Sequence, residues 1–309
     1  MESVLVTGSN GMLGSTVCAA LESKGIIPVK ATRKSLDLSR PGEVLKKFKE
    51  IKPSSIIHCA AVVGGIQANV DGKTKFFTEN IKIDASVINA ARELQIENLI
   101  YIGSSCMYPA NREEALTENN LLTGELEPSN KSYALAKIFG TELVSSIALE
   151  DGLKWRTFIA SNLYGPGDHF DPVRSHLLAA VIQKVLKAKA EGAKEISMWG
   201  SGTGRREFTF VEDFANWIAS SLEKLEDLPL VLNTGIGVDF TILEFYKLVM
   251  EECGLDAKVV PDLTKPDGNR RKLMDSSLAR QYGWKPETDI KTGISKTVEW
   301  FEAQPGSSN

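Results

Sequence analysis

The sequence predicts an α/β fold, in which a doubly wound parallel sheet is joined by a smaller, interleaved C-terminal α/β domain. Short β-branched strands alternate with helices through the first half of the 309 residues, which is typical of a parallel sheet covered on both faces. A glycine-rich turn joins the first strand to the first helix. After about residue 165 this rhythm loosens. We therefore expect one domain over 1–165, with a later return of the chain to it left open, and a second over 166–309.

The individual elements follow from apolar runs bounded by turn residues. Strands are predicted over 4–6, 26–31, 55–59, 98–102 and 154–159. Helices are predicted over 12–24, 41–51, 74–94, 132–150, 175–191, 212–224, 242–253 and 290–302. Ser39 is expected to cap the helix that begins at Pro41, because serine is a favoured N-cap and proline suits a first helical turn. The last four residues are predicted to fray.

Composition narrows the class of protein. The formal charge of −4 argues against nucleic-acid and membrane binding, because both need a basic surface. No apolar run approaches the roughly 20 residues of a membrane span. The N-terminus lacks the features of a signal peptide, so a cytoplasmic location is expected. The four cysteines are scattered without a C-x-x-C pair, so neither a disulfide framework nor a metal site is predicted.

The turn after the first strand has the pattern G-x-x-G-x-x-G. Gly8 and Gly11 can adopt backbone conformations that bring the chain close to a ligand, and Gly14 allows the helix to pack closely on the strand. The helix N-terminus then offers free N–H groups to a pyrophosphate. This combination predicts a Rossmann-like dinucleotide site with contacts from Gly8, Ser9, Asn10, Gly11, Met12, Leu13 and Gly14.

The end of the second strand indicates the type of dinucleotide. An acidic residue there would favour NAD, because it accepts hydrogen bonds from the ribose. Here the strand leads into Arg33, whose guanidinium suits a 2′-phosphate. The predicted cofactor is therefore NADP(H), with Asp37 and Leu38 as further contacts. The alternative is that Arg33 and Lys34 form a solvated surface pair.

Tyr133 and Lys137 form a Y-x-x-x-K pair on one face of a predicted helix. We expect the lysine ammonium to lower the pKa of the Tyr133 phenol, which then passes a proton to a carbonyl oxygen as hydride arrives. Ser104 ends the fourth strand, where ligands bind in open parallel sheets, and is expected to donate a hydrogen bond to the same oxygen. Together with the glycine turn, these residues predict a reductase.

Several longer segments resemble the GDP-L-fucose synthases, a family of extended short-chain dehydrogenases. They are more specific than the general dehydrogenase pattern and follow the family in order along the chain. The segments are 60–66 (AAVVGGI), 103–109 (GSSCMYP), 126–130 (LEPSN), 162–166 (NLYGP), 175–176 (SH), 199–208 (WGSGTGRREF) and 265–272 (KPDGNRRK). The resemblance implies NADPH-dependent 3,5-epimerisation and then 4-reduction of GDP-4-keto-6-deoxy-D-mannose, in a homodimer.

By the same resemblance, Cys106 is the base and His176 the acid that invert the carbons beside the ketone. A thiol suits this step because nearby positive charge readily lowers its pKa, and a histidine can supply a proton near neutral pH. The alternatives are a packing role for Cys106 and a surface or core role for His176. Of the other histidines, His58 is interpreted as a strand residue and His169 as a loop residue.

The resemblance also implies contacts to the GDP-sugar and to the nicotinamide. Arg206 has the best physical basis, because a guanidinium can bind a pyrophosphate through two hydrogen bonds, whereas Trp199 could instead be a core residue. The expected substrate contacts are Lys184, Trp199, Arg206, Asp267 and Lys272. The further cofactor contacts are expected at Ile102, Gly103, Ser105, Lys137, Ala160, Asn162, Leu163 and His176.

Some positions depart from the family pattern. Val62 stands where many members carry a lysine, and Asn10 where some carry an arginine. Lys184 replaces the usual arginine, and 160–162 reads Ala-Ser-Asn rather than Pro-Thr-Asn. Two alternatives therefore stay open: a sibling enzyme for another GDP-4-keto sugar, such as a deoxyheptose or a dideoxy sugar, and a non-catalytic NADP-binding regulator.

Overall fold

The computed structural model describes residues 3–171, 175–265 and 267–305. The predicted fraying of the last four residues falls outside this range. The strands, in chain order, are β1 (Val4–Thr7), β2 (Val29–Ala31), β3 (Ser55–His58), β4 (Asn98–Ser104), β5 (Lys154–Ala160), β6 (Asn162–Tyr164), β7 (Glu195–Trp199), β8 (Arg205–Arg206), β9 (Phe208–Phe210), β10 (Val231–Thr234), β11 (Phe240–Thr241), β12 (Lys258–Asp262) and β13 (Arg271–Lys272).

The helices separate these strands along the chain. They are α1 (Met12–Ser23), α2 (Pro41–Ile51), α3 (Ile66–Asp71), α4 (Lys73–Glu93), α5 (Lys131–Asp151), α6 (Leu177–Ala190), α7 (Val211–Ser221), α8 (Ile242–Cys253), α9 (Ser277–Gln281) and α10 (Ile290–Glu302). Short 3₁₀ turns follow β4 at Ser105–Met107 and α7 at Leu222–Asp227. Within the described residues, no helix is long and apolar enough to cross a membrane.

A parallel six-stranded sheet in the order β2–β1–β3–β4–β5–β10 forms the centre of the molecule. Its strands are rich in valine and isoleucine and are almost entirely buried, as expected of a sheet covered on both sides. The chain runs outward from β1 to β2 and then crosses back to β3, so the direction of winding reverses beside β1. Ligands bind at such a reversal, outside the carboxyl ends of the strands.

Helices cover both faces of this sheet. One face packs against α1 and α7, where Val17 and Leu21 meet Phe214 and Trp217 over the strands. The other face packs against α2, α4 and α5, through side chains that include Phe48 and Val144. The predicted doubly wound α/β fold of the Rossmann type is therefore confirmed.

Residues beyond 165 contribute to both parts of the molecule. β10 joins the central sheet and α7 covers it, whereas α6, α8 and α10 form a separate core with the small pairs β7–β12 and β6–β9. The pairs β11–β8 and β8–β13 complete a three-stranded sheet. The proposed division into two domains at residue 165 stays a prediction.

Two local predictions were wrong. The second strand begins at Val29 rather than at residue 26, and Ile27 before it is largely exposed. Arg40, not Ser39, is the N-cap of α2, and the Ser39 hydroxyl instead donates to the Asp37 carboxylate at 2.7 Å. The Asp37 carboxylate thus competes with the helix terminus for the Ser39 hydroxyl, because hydrogen bonds to a nearby side chain are a common alternative to capping.

Candidate active site

The glycine turn after β1 is closely packed against its surroundings. Gly8 has φ +64° and lies against the backbone after β3, where an added Cβ would be 2.8 Å from Ala60 Cα. A Cβ on Gly14 would lie 2.2 Å from the Gly8 carbonyl oxygen. The Gly11 N–H donates to that same oxygen at 3.0 Å. These three glycines therefore hold the first turn of α1 tight against the edge of the sheet.

The N-terminus of α1 fits a dinucleotide phosphate. Gly11 is its N-cap and provides no side-chain hydrogen bond, so no capping side chain occupies the first N–H groups of the helix, which have no partner within it. Among the described residues, Ser9 carries a buried hydroxyl without a hydrogen-bond partner. Asn10 is exposed, and Met12 and Leu13 begin the helix. Free donors at this helix end are what a pyrophosphate requires.

Gly14→Ala is expected to weaken NADPH binding at least about ten-fold, which corresponds to about 1.4 kcal/mol. The added methyl group would collide with the Gly8 carbonyl and open the turn. Gly42→Ala is the matched control, because a Cβ at Gly42 in α2 meets no atom within 4 Å. Fluorescence titration with NADPH checks the pair. Wild-type affinity in the Gly14 variant would contradict a phosphate site at this turn.

The residues after β2 lie at the outer side of the same edge. Arg33 is exposed, and Leu38 is buried. Hydrogen bonds from Ser39 lower the pKa of Asp37, whose carboxylate accepts from the Ser39 N–H at 3.0 Å. Arg40 Nε lies 3.3 Å from the same carboxylate. Arg40 is thus a further exposed cation here, besides Arg33 and Lys34, and it was not predicted from the sequence.

Ser104 and Tyr133 meet where β4 ends and α5 begins. Ser104 is the last residue of β4, and its hydroxyl caps the following 3₁₀ turn by accepting from the Cys106 N–H at 3.2 Å. The Ser104 side chain lies near enough to Tyr133 to lower the pKa of its phenol. The predicted pair therefore lies together, and the charge of Cys106 also acts on Tyr133.

The expected lowering of the Tyr133 pKa was wrong for this structure, because burial outweighs any contribution from Lys137. Burial raises the pKa of Tyr133, and the charges of Cys106 and Asp84 raise it further, although Ser104 lowers it. Lys137 instead places Nζ 4.4 Å from the centroid of the Tyr101 ring. A four-residue spacing showed that the two side chains share a helix face, but it could not show how deeply the phenol is buried.

A buried polar cluster, missed in the sequence, lies behind Lys137. The Asp84 carboxylate on α4 accepts from Tyr101 Oη at 2.7 Å and contacts His58 Nε2 at 3.0 Å. His58 Nδ1 in turn lies 2.7 Å from Thr7 Oγ1. The sequence does contain a signal for this cluster, because Asp84 lies at helical spacing from the apolar residues on the buried face of α4. We name Thr7, His58, Asp84 and Tyr101 the buried relay.

The Cys106 thiol is surrounded by hydrogen-bond donors and cations. Asn130 Nδ2 donates to Sγ at 3.2 Å, and Lys272 Nζ lies 3.7 Å from Sγ. Arg206 also interacts electrostatically with the thiol. Asn130 ends the segment 126–130 that resembles the family, but its contact with the Cys106 sulfur could not be derived from the sequence.

The remaining cysteines differ from Cys106 in their surroundings. Burial raises the pKa of the Cys18 and Cys59 thiols, and raises that of Cys253 to about 11. All four are free thiols. Cys106 is therefore the cysteine whose contacts best suit a base.

His176 is the N-cap of α6 and lies on the same side of the molecule as the glycine turn. Its Nδ1 is 3.7 Å from Asp168 Oδ1, beyond hydrogen-bonding distance, and this buried nitrogen has no partner among the described residues. The loop carrying Asp168 approaches α1, since a Cβ on Gly167 would lie 3.6 Å from Met12 Cα. A nitrogen left unpaired at this position is free to contact a ligand.

Two predicted substrate contacts lie together beside the thiol. β8 and β13 pair in parallel and set Arg206 opposite Lys272. Arg206 Nη1 donates to the carbonyls of Arg205 at 2.8 Å and Asn269 at 2.6 Å, which fixes the guanidinium. Lys272 Nζ also lies 3.9 Å from Glu127 Oε2. The result is an oriented pair of cations next to Cys106.

The other predicted substrate contacts form a second group. Trp199 is 53% exposed, so it is not the core residue of the alternative interpretation. Lys184 Nζ lies 5.6 Å from the Trp199 ring centroid, and Lys265 Nζ lies 5.3 Å from it. Asp267 accepts from the Ser201 N–H at 2.5 Å, in the turn that follows Trp199. An exposed aromatic face between cations suits a flat, electron-rich ring system.

The predicted nicotinamide-side residues line the ends of the central strands. Ser104 and Ala160 are register partners at the carboxyl ends of β4 and β5. Asn162 begins β6, and its amide donates to the Glu207 carbonyl at 2.8 Å. The remaining residues predicted here lie close by in the same strands or in the turn that follows β4: Ile102, Gly103, Ser105 and Leu163. Among the described residues, no cluster of side chains suited to holding a metal ion is found.

The arrangement unites three chemical capacities at one edge of the sheet. A helix N-terminus offers donors to a phosphate, a Ser/Tyr pair can transfer a proton, and a thiol beside cations can act as a base. These groups come from the ends of β1, β4 and β8 and from the start of α5. The site can therefore combine hydride chemistry on a carbonyl with proton abstraction from the adjacent carbon.

Comparisons with known proteins agree with this geometry. The NAD dependent epimerase/dehydratase family model matches residues 4–235. GDP-L-colitose synthase from Yersinia pseudotuberculosis is 40% identical over 96% of this chain and 97% of its own. GDP-L-fucose synthase from Azorhizobium caulinodans is 39% identical over 96% of each chain. A GDP-D-glycero-L-gluco-heptose synthase from Campylobacter jejuni, solved in the presence of NADPH, superposes with a TM-score of 0.91 at 28% identity, covering 98% of each chain.

These similarities confirm the resemblance to the GDP-L-fucose synthases that the sequence segments indicated. They also confirm the prediction of a dinucleotide-dependent oxidoreductase. The family match covers the glycine turn, Ser104, Tyr133 and Lys137, and the relatives extend the similarity to the cations beyond residue 235. The chain belongs to the NAD dependent epimerase/dehydratase family.

Proposed function

We propose that this protein catalyses the NADPH-dependent 3,5-epimerisation and 4-reduction of GDP-4-keto-6-deoxy-D-mannose, giving GDP-L-fucose. The observation that carries the proposal is the juxtaposition of two proton-transfer groups. Ser104 lies near Tyr133 and bonds to the backbone of Cys106, whose thiol lies 3.7 Å from Lys272 Nζ. A simple reductase needs the tyrosine but has no use for the thiol. The similarity to GDP-L-fucose synthases supports the choice of sugar.

The cofactor is NADP(H). The glycine turn and the unsatisfied N-terminus of α1 fit its pyrophosphate, and the exposed Arg33 suits its 2′-phosphate. Arg40 provides a further cation at the same edge. Bound NADPH supplies the hydride that reduces the C4 ketone.

In the reduction, Tyr133 donates its proton to the C4 oxygen. Its raised pKa keeps the phenol protonated until negative charge develops on that oxygen. Ser104 donates a second hydrogen bond to the oxygen and stabilises the same charge. The phenolate that remains is stabilised by the nearby Lys137 ammonium.

In the epimerisation, the Cys106 thiolate removes a proton from the carbon beside the ketone. The ketone acidifies that hydrogen, and the resulting enolate oxygen lies where Ser104 and Tyr133 can hydrogen-bond to it. His176 returns a proton to the opposite face, which inverts the centre. Exchange with water then restores the thiolate and the protonated imidazole.

The two cationic groups of the site are proposed to hold the GDP. Arg206 and Lys272 face the pyrophosphate, because a fixed guanidinium beside an ammonium matches a doubly charged diphosphate. Trp199, Lys184 and Asp267 are proposed contacts for the remainder of the nucleotide. The homodimer that the resemblance implies stays a prediction.

A related GDP-4-keto sugar is the second candidate substrate. The relative at 40% identity is a GDP-L-colitose synthase, and a structural neighbour is a heptose synthase. Val62, which replaces a lysine of the family pattern, follows β3 close to the N-terminus of α6, because Gly65 packs against Ser175. A change of side chain there alters the part of the pocket that faces the sugar.

The test is NADPH oxidation with GDP-4-keto-6-deoxy-D-mannose, with the ring configuration of the product determined by NMR. GDP-L-fucose as product is the expected result. A product reduced at C4 but still of the D configuration would contradict the epimerase part of the proposal. Faster turnover of a GDP-4-keto dideoxy sugar or heptose in the same assay would favour the second candidate.

A further inference from the structure

Asp84 is a carboxylate enclosed within the protein, beneath the active site. It lies on the face of α4 that packs on the central sheet and is fully buried. Tyr101 Oη and His58 Nε2 contact separate oxygens of it, at 2.7 and 3.0 Å. A buried carboxylate is costly unless it is paired and hydrogen-bonded. Its surroundings therefore require an explanation in terms of function or folding.

Strand register assembles the buried relay. Thr7, His58 and Tyr101 are consecutive register partners across β1, β3 and β4, so they form a row at one level of the sheet. Asp84 lies over this row from α4. The contact between β4 and α5 is close, because Gly140 has no side chain and a Cβ there would lie 2.3 Å from Tyr101 Oη.

The hydrogen bonds assign the protons of this cluster. Thr7 Oγ1 accepts from the Ala60 N–H at 3.3 Å, and its own hydrogen has His58 Nδ1 as acceptor. His58 Nε2 then carries a hydrogen and donates it to Asp84. Tyr101 donates its hydroxyl hydrogen to the other Asp84 oxygen. In this assignment every member of the cluster has a hydrogen-bond partner, and the Asp84 carboxylate is enclosed with its negative charge.

The charge that balances Asp84 belongs to the active site. Lys137 is 2% exposed, and its ammonium lies 4.4 Å from the centroid of the same Tyr101 ring whose hydroxyl is bonded to Asp84. Lys137 is also the cation whose charge acts most strongly on Asp84. The buried carboxylate and the buried ammonium thus both contact Tyr101, the first at its hydroxyl and the second over its ring.

We propose that Asp84 is a positioning residue of the reaction, whose buried charge keeps Lys137 protonated beside Tyr133. This inference rests on the proposed role of Tyr133 as the proton donor. Asp84 does not touch the sugar or the cofactor. Its charge ensures that the ammonium required by the tyrosine persists in a site from which water is excluded.

The shifts of pKa agree with this arrangement. Burial lowers the pKa of Lys137, and the charge of Asp84 raises it. Burial raises the pKa of Tyr133, and Asp84 also contributes to that rise. Removing the Asp84 charge should therefore lower both values. Since the reduction needs both Lys137 and Tyr133 in their protonated forms, activity would be lost at a lower pH than in the wild-type protein.

Other titratable groups around the pair come from each neighbouring element. Those facing Asp84 are His58 of β3, Tyr101 of β4 and Lys137 of α5. Cys59, after β3, acts on Lys137, and Cys106 acts on Tyr133. The helix α2 also packs on α4, but its Lys49 pairs with Glu93 at the exposed far end of that helix. The sign of the expected shift thus depends on Asp84.

The deciding experiment is the pH dependence of kcat/KM for Asp84→Asn and for Tyr101→Phe. We expect Asp84→Asn to move the basic limb of the profile to lower pH by about one unit or more, the size typical of losing a nearby opposite charge. Tyr101→Phe is the matched control, because it removes a hydroxyl of the same relay but keeps the charge and the aromatic face. Its basic limb should stay in place even if kcat/KM falls.

Equal losses in both variants with an unmoved basic limb would overturn the proposal, because they would show a merely structural role. Asp84→Glu, which restores the charge, should return the limb toward its wild-type position. A limb that stays at the Asp84→Asn position in this variant would also contradict the proposal.

A second measurement needs neither a foldable Asp84→Asn protein nor a sugar substrate. In wild-type protein labelled with ¹⁵N-lysine and saturated with NADP⁺, the Lys137 Nζ signal, assigned with Lys137→Met, should stay that of an ammonium up to at least about pH 9. A neutral Lys137 amine at pH 7 would overturn the proposal. Because no sugar is added, failure of the proposed sugar reaction leaves this result interpretable.

Discussion

Tyr133→Phe is expected to lower kcat for reduction of the 4-keto sugar by about 10²–10⁴-fold, the usual contribution of a positioned general acid. The phenylalanine ring fills the same space but has no proton for the C4 oxygen. Ser104 would remain as a hydrogen-bond donor and accounts for the residual rate. NADPH consumption under saturating sugar measures the loss, and fluorescence titration should show unchanged binding of NADPH.

The control for this variant is Tyr282→Phe, which removes a phenol hydroxyl from a partly buried tyrosine on the α1 side of the sheet. It should turn over at the wild-type rate. Near-normal turnover in Tyr133→Phe would exclude the tyrosine as the acid. Loss of turnover in Tyr133→Phe, with NADPH binding retained, would exclude the alternative of a non-catalytic NADP-binding regulator.

Much of the site could be predicted because its residues lie where a parallel sheet places ligands. The glycine turn, Ser104 and Tyr133 each follow or face the carboxyl end of a central strand, and each carries a local pattern that can be recognised in the sequence. Strand alternation alone gave the layered architecture. What local patterns could not supply was the environment of each side chain.

The buried relay shows this limit. In the sequence, nothing distinguishes His58 from other strand residues. The role of Asp84 can be recognised only from the packing of α4 on β3 and β4. The periodicity of α4 could have marked Asp84 as buried, because it shares a face with Val87 and Ala91. Its partners could not have been named, since they depend on strand register.

The same limit applies to the cations beside Cys106. Arg206 and Lys272 are 66 residues apart in the chain, and only the pairing of two-residue strands brings them together. The sign of the Tyr133 pKa shift was wrong for a related reason. A charge four residues away is visible in the sequence, whereas the burial that opposes it arises from packing.

Cys106→Ser is expected to slow solvent deuterium uptake beside the ketone by about 10²–10⁴-fold. A serine hydroxyl keeps the size and the hydrogen bond from Asn130, but a hydroxyl is a much weaker acid than a thiol and therefore a poorer source of the anionic base. The measurement uses GDP-4-keto-6-deoxy-D-mannose in D₂O with NADP⁺ instead of NADPH, so that no reduction removes the ketone. NMR then follows the loss of proton signal at C3 and C5.

Cys253→Ser is the control, because this thiol lies at the end of α8 in the C-terminal core and burial raises its pKa. It should exchange at the wild-type rate.

With NADPH present, Cys106→Ser should still reduce the ketone, because Ser104 and Tyr133 remain, and the product should have the unepimerised D configuration. Exchange at the wild-type rate in Cys106→Ser would remove the thiol as the base. If Cys106→Ser loses both reduction and exchange, in a folded protein that binds NADPH normally, the thiol also helps to hold the sugar against Tyr133.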